Sequence, residues 1–381
     1  MLLLVRSEIC KNYDISDSPI PLDENALSAL YKLSKKHDLA HITGAALERR
    51  SLIPKESPLY TVFAKETALA VYRLQHLSSM LATVSAALEN ACIAFIPLKG
   101  SVLRDRYPEP WQRTSSDVDI FVRERDLAAA ERMLTEKCGY TKAGTSAHDV
   151  SFRSPDGMHL ELHYRLIEDA YTKNAAGILT DPFSYATPKD GYAYHHVLSD
   201  DFFYLYHVAH MAKHFENGGC GVRSLLDLWI LENNLTYDAS ARDTLLSRAD
   251  LLTFANAMRS LSDAWFNGGS ADETVMRAGS LILFSGVYGT KKTRVQVQQQ
   301  RKGGKLGYAL SRIFLPYETL KHHYPVLKKH PILTPLCEIR RWCRLLFLGG
   351  AKRSLDEFRM SADVSEKEAA DIRGLMESIG L

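Results

Sequence analysis

Two carboxylates one residue apart, Asp117 and Asp119, lie in Ser115-Ser116-Asp117-Val118-Asp119-Ile120-Phe121-Val122, and a third, Glu161, lies in His159-Leu160-Glu161-Leu162-His163. Side chains alternate faces along a strand, so residues i and i+2 point the same way. As strands, the first run sets Asp117 and Asp119 against an apolar face of Val118, Ile120 and Val122. The second sets His159, Glu161 and His163 against Leu160 and Leu162. Neighbouring strands would bring the three carboxylates into one patch, which repels itself unless cations occupy it. Carboxylate-dominated sites suit Mg²⁺, which keeps waters and joins protein to substrate phosphates. Two ions about 3.5–4 Å apart activate an attacking hydroxyl and stabilise a leaving pyrophosphate, the chemistry of nucleotidyl transfer.

An isolated Asp-x-Asp also fits a solvated strand edge, so context has to decide. Upstream, Ile93-Ala94-Phe95-Ile96-Pro97-Leu98 reads as a strand that ends at a turn made by Gly100 and Ser101, after which a helix can start. A glycine turn at a helix start leaves backbone N–H groups for an anion, the usual cradle for phosphate. Lys99, Arg104 and Arg113 offer positive charge for it. Each also reads as a solvated surface charge; Lys99 and Arg113 are preferred because they flank the acids and the turn.

The succession Leu98-Lys99-Gly100-Ser101, Arg113, Asp117-Val118-Asp119-Ile120, Gly139-Tyr140 and His159-Leu160-Glu161-Leu162-His163 resembles the uncharacterised nucleotidyltransferase family of the polymerase-beta-like superfamily. So do His37-Asp38-Leu39-Ala40, the histidines between 207 and 214, Tyr324-Pro325 and Arg340-Arg341, so the resemblance covers most of the chain. It implies that Gly100 and Ser101 hold the triphosphate, that Asp117 and Asp119 ligate both metals and that Glu161 completes the site. There is one departure. Asp117 stands sixteen positions after Ser101, with Pro108 and Pro110 between, a longer interval than the superfamily's typical short helix.

The expected fold class is α+β, a small mixed β-sheet nucleotidyltransferase core flanked by N-terminal and C-terminal helical regions. Residues 1–85 read as helical, with Leu27, Leu30, Leu33, Leu39 and Ile42 near helical spacing and an Ala/Leu-rich stretch from Ala64 to Leu88. Residues 86–190 form the catalytic core. There a helix runs from an N-cap at Asp126 through Leu127, Ala130, Met133 and Leu134 to Gly139. A hairpin then turns at Ser154-Pro155-Asp156-Gly157, giving a sheet with helices on one side and the acids on its central strands. Residues 191–381 return to helix, with an apolar stripe of Leu205, Val208, Ala209 and Ala212, a break at Gly218-Gly219 and a second helix over Arg223 to Leu235.

With 381 residues, 46% hydrophobic and 24% charged, the chain has the composition of a globular, ordered protein. A net charge of +2 implies no bulk attraction to nucleic acid, which is therefore not a favoured partner. Six dispersed cysteines without a Cys-x-x-Cys pair argue against a zinc module or disulfide framework. The N-terminus lacks a signal-peptide pattern and no apolar run is long enough to span a bilayer, so a cytoplasmic enzyme without a membrane partner is expected.

His207, His210 and His214 share helical spacing but lack the Glu or Cys partner of a recognised metal motif, so packing or a bond to substrate is expected of them. His163, His214 and Arg223 are candidate substrate contacts, with Lys213 and Asp227 behind them; for His163 a structural bond is the competing expectation. The acid-free basic stretch 291–305, with Gln298 to Gln300 and Gly303-Gly304, reads as a mobile loop that is either solvated or touches an acceptor. Together these residues describe an NTP-using enzyme with two Mg²⁺ ions, Mn²⁺ being the alternative, and an acceptor the sequence leaves unnamed. The competing classes are a nucleotide-binding regulator without turnover and a kinase-like phosphotransferase on the same scaffold.

Overall fold

The alternation of acids and aliphatics is realised as two adjacent parallel strands. The computed structural model describes residues 1–10, 22–167, 174–234, 238–286, 291–347 and 366–381. Strands β1 (Phe95–Pro97), β2 (Asp117–Val122), β3 (Thr141–Thr145), β4 (Asp149–Arg153) and β5 (His159–His163) form a mixed sheet in the order β1-β2-β5-β4-β3. Only β2 and β5 pair in parallel, in a register that sets Asp117 opposite His159 and Asp119 opposite Glu161. The hairpin β4–β5 forms at the expected turn, closed by the Gly157 N–H donating to the Ser154 carbonyl at 2.9 Å.

The apolar face of the sheet packs on two helices. Val118, Ile120, Val122, Leu160 and Leu162 share a core with Leu77, Met80, Val84 and Leu88 and with Ala130, Met133 and Leu134. The first set of helical residues belongs to the long helix Pro58–Asn90, which starts at a capping Ser57 with proline at its first position and runs free of Gly and Pro to its end. The second belongs to Leu127–Glu136. Asp126 precedes that helix but makes no capping bond, because a 3₁₀ turn over Glu124–Asp126 leads in and holds it near helical φ/ψ.

Three expectations are corrected. The sheet is covered on both sides, not one: Tyr206, from the helix Asp200–Glu216, is buried against the acid face, where its hydroxyl feels Lys99, Asp119 and Glu161. A two-stranded sheet, β6 (Ala186–Pro188) with β7 (His196–Leu198), interrupts the passage to the helical region. It is tied to β1 by a Phe95–His195 bridge and to the long helix by Glu89, whose carboxylate accepts N–H groups of Ala193 and His195 at 2.6 and 2.9 Å. Third, the basic stretch is helical over Lys291–Arg301 and again over Gly304–Ile313, because Val295, Val297 and Gln299 are buried and anchor it. Its approach is close: a Cβ on Gly218 would lie 2.8 Å from the Arg294 backbone nitrogen. The helix after the Gly218-Gly219 break spans Val222–Asn234; Leu235 lies outside the described residues.

Candidate active site

Asp117, Asp119 and Glu161 converge as strand alternation requires. Ligand atoms of Asp117, His159 and Glu161 lie within 4.8 Å of one another, and so do those of Asp119, Glu161 and His163. Lys99 joins them, its Nζ 2.7 Å from Asp119 Oδ1 and 3.9 Å from Glu161 Oε2. It is placed by a turn in which the Leu98 N–H donates to the Asp119 carbonyl at 2.9 Å and Lys99 itself takes φ 46°. That left-handed backbone is unusual for a residue with a Cβ and reflects the tight exit from β1. Gly100 follows because the space is closed: a Cβ there would lie 3.1 Å from Ser115 Cβ.

The acids are electrostatically unlike. Asp119 is buried, which by itself favours protonation, but the Lys99 ammonium and the His163 hydrogen bond hold its carboxyl well below the usual range. Asp117 has no such partner; burial and the neighbouring Asp119 and Glu161 charges push it up to about 6. Burial and Lys99 would lower His163, yet its Nε2 contacts to Asp119 at 2.8 Å and Glu161 at 3.3 Å leave it raised. The structural bond weighed for His163 is thus present, and it ends on an acid of the cluster.

The remaining candidates are distributed around this cluster. Arg113 is buried and its Nε donates to Asp227 at 2.6 Å, a carboxylate it shares with the Tyr107 hydroxyl at 2.6 Å. Arg104 donates to the Gly100 carbonyl at 2.8 Å and to Ser115 Oγ at 3.2 Å, bracing the turn from behind. Arg223 pairs with Asp38, whose other contact is the Thr114 hydroxyl at 3.1 Å. His207 meets the Ser224 carbonyl at 3.1 Å; burial lowers it and its neighbours, His214 to about 4. None of the three helical histidines enters a metal-ligating group among the described residues.

Sequence reading passed over two residues. His159 was set on the acid face by alternation but not taken as a ligand, and Tyr206 gave no signal because its helix is buried on several sides. The oxygens of Ser101 and Tyr206 are buried without a hydrogen-bond partner. Buried polar groups are nearly always satisfied, and Tyr206 is the one of these two whose surroundings include Lys99, Asp119 and Glu161. Ser101 also lines a cavity of about 270 Å³ walled by Pro97, Arg106, Lys189 and Phe203, to which none of the three acids contributes.

The long interval between Ser101 and Asp117 is filled by the short helix Gly100–Leu103 and two 3₁₀ turns, Arg104–Arg106 and Pro110–Gln112, so the extra residues form turns and leave the acid register intact. No helix among the described residues is long and apolar enough to cross a membrane. No curated protein and no solved structure matches the chain. A family model described as an uncharacterised nucleotidyltransferase matches residues 23–267, a span that contains the turn, both acid-bearing strands and the helix that carries Tyr206, and the chain belongs to that family.

Proposed function

We propose that this chain is a Mg²⁺-dependent nucleotidyltransferase that moves a nucleoside monophosphate from an NTP to an acceptor hydroxyl or phosphate and releases pyrophosphate. The observation that supports this best is the parallel register of β2 on β5, which sets Asp119 opposite Glu161 with Asp117 on the same face. Three carboxylates on one face fit a hard cation that would in turn hold a phosphate-bearing ligand. Asp117, Asp119 and Glu161 would hold two Mg²⁺ ions, with Mn²⁺ as the alternative, which would supply Lewis-acid stabilisation of the α-phosphate and lower the pKa of the attacking hydroxyl.

The chain's own residues do the positioning. Ser101 Oγ is offered to a phosphate oxygen from a turn that Arg104 braces. Lys99 neutralises Asp119 within the protein and is the cation nearest a triphosphate that approaches the acids. Arg113, held by Asp227 through Nε, fixes the segment leading into β2 and joins Lys99, Gly100 and Ser101 in the proposed phosphate contact. The acceptor oxygen attacks the α-phosphorus as the bond to the pyrophosphate oxygen breaks, and the acceptor proton passes to a carboxylate or to solvent. Catalysis of this kind rests on orientation and charge stabilisation.

The test is incubation with α-labelled NTPs, Mg²⁺ and a lysate of the source cell, following the label. Label on an acceptor with release of pyrophosphate is expected, and Asp119→Asn should abolish it while the variant keeps the wild-type circular dichroism. Label retained on NDP with none on an acceptor, or nucleotide binding without turnover, would replace this reading with a phosphotransferase or a regulator.

A further inference from the structure

Behind the carboxylate cluster, on the far side of β5, stands a second group that the proposed reaction does not use. Asp149 opens β4 and is the cross-strand partner of His163 at the end of β5, so their side chains leave the same face of the sheet. His148 precedes Asp149, and its carbonyl accepts the N–H groups of Tyr164 at 3.0 Å and Arg165 at 3.2 Å, which pins the loop to the end of β5. One ligand atom from each of His148, Asp149 and His163 falls within 4.8 Å of the others.

The hydrogen bonds around the trio orient it inward. His163 Nε2 faces two carboxylates, Asp119 Oδ1 at 2.8 Å and Glu161 Oε2 at 3.3 Å, and carboxylates only accept, so Nε2 carries the proton. The other nitrogen, Nδ1, belongs to a side chain 1% exposed and is buried without a hydrogen-bond partner. Ser146 Oγ lies 3.1 Å from His148 Nδ1, which leaves Nε2 as the nitrogen facing Asp149, 3.7 Å from Oδ2. The same hydroxyl donates to Asp149 Oδ1 at 2.5 Å and so presents Oδ2 to the group.

We infer that His148, Asp149 and His163 bind a transition-metal ion, of which Zn²⁺ is the type, in a site separate from the Mg²⁺ cluster. Two imidazoles and one carboxylate form a donor set that prefers Zn²⁺ or its first-row neighbours to Mg²⁺, and three protein ligands leave a position for water. Ligands bound at about 2.0–2.2 Å stand closer together than these atoms do, so binding would draw the three side chains together. The hydrogen bond from His163 Nε2 to Asp119 supplies the supporting carboxylate that metal-bound histidines commonly have. His163 is then the one side chain that touches both sites, ligating one ion and steadying an acid of the other cluster.

The experiment strips the full chain with a chelator, saturates it with Mg²⁺ to occupy the carboxylates, and titrates Co²⁺ while recording its visible absorption. One equivalent is expected for wild type and for Asp117→Asn, which alters only the carboxylate cluster. His148→Gln and Asp149→Asn should each weaken binding by more than about 100-fold, beyond what the loss of a supporting contact alone causes. Circular dichroism shows whether the variants fold, and the wild-type and Asp117→Asn titrations stand without them. Uptake unchanged in folded His148→Gln, uptake lost in Asp117→Asn, or no uptake by wild type would each overturn the site.

Discussion

Asp117 and Asp119 are two residues apart on one strand face and titrate in opposite directions, Asp119 held down by Lys99 and His163 and Asp117 pushed up to about 6. The consequence for stability has a definite sign. The folded Asp117 carboxyl keeps its proton up to about pH 6, whereas an unfolded one releases it near pH 4. Between these values the folded state binds more protons, so Asp117's contribution falls as pH rises through that window and stays lost above it. In chelator at pH 7.5, Asp117→Asn should therefore melt higher than wild type, by a gain on the order of 1–2 kcal/mol once its partial exposure is allowed for. At pH 4 the difference should vanish. With saturating Mg²⁺ the order should reverse, because the asparagine is a poorer ligand; differential scanning calorimetry at the two pH values reads all three outcomes.

The elements that present these residues were legible to different degrees. Period-2 alternation is local, so the strands Asp117–Val122 and His159–His163 and their shared acid face could be read directly, as could the hairpin turn that joins β4 to β5. Three-residue strands such as His196–Leu198 carry no period of their own and exist because of distant partners, which is why β6 and β7 escaped. Arg113 illustrates the same limit at a single side chain. Its type and position suggest a phosphate contact, and no local pattern announces that Asp227, more than a hundred positions later, is also its partner. This pair fixes the approach to β2 against the helix Val222–Asn234 from the C-terminal half of the chain. Removing one member of a buried pair strands the other charge, at a cost of about 3–5 kcal/mol. Asp227→Ala should lower the urea midpoint accordingly, and adding Arg113→Met should recover much of the loss. An additive double mutant would show that the two groups do not act as a pair.

Across the whole molecule one apolar core draws on Val5 and Ile9 near the start, Ile96 and Phe121 in the sheet, the helix carrying Phe202 and Tyr206, and Leu375 and Ile379 near the end. Asp119 lies buried beside this core while Asp117 and Glu161 are half-buried, and a buried carboxylate is costly if it stands unpaired. Lys99 removes part of that cost, which gives a global expectation. Lys99→Met should lower the melting temperature in chelator by several degrees and make it rise steeply with added Mg²⁺, since a ligand that binds only the folded state stabilises by mass action. Wild type should show a shallower dependence on Mg²⁺ in the same scan, and equal slopes would remove Lys99 from this role. The contact between Lys99 and Asp119 is in effect a tethered counter-ion. On the proposed function, a protein that carries its own counter-ion can fold before metal binds, so the supply of metal would govern its turnover and not how much of it is folded.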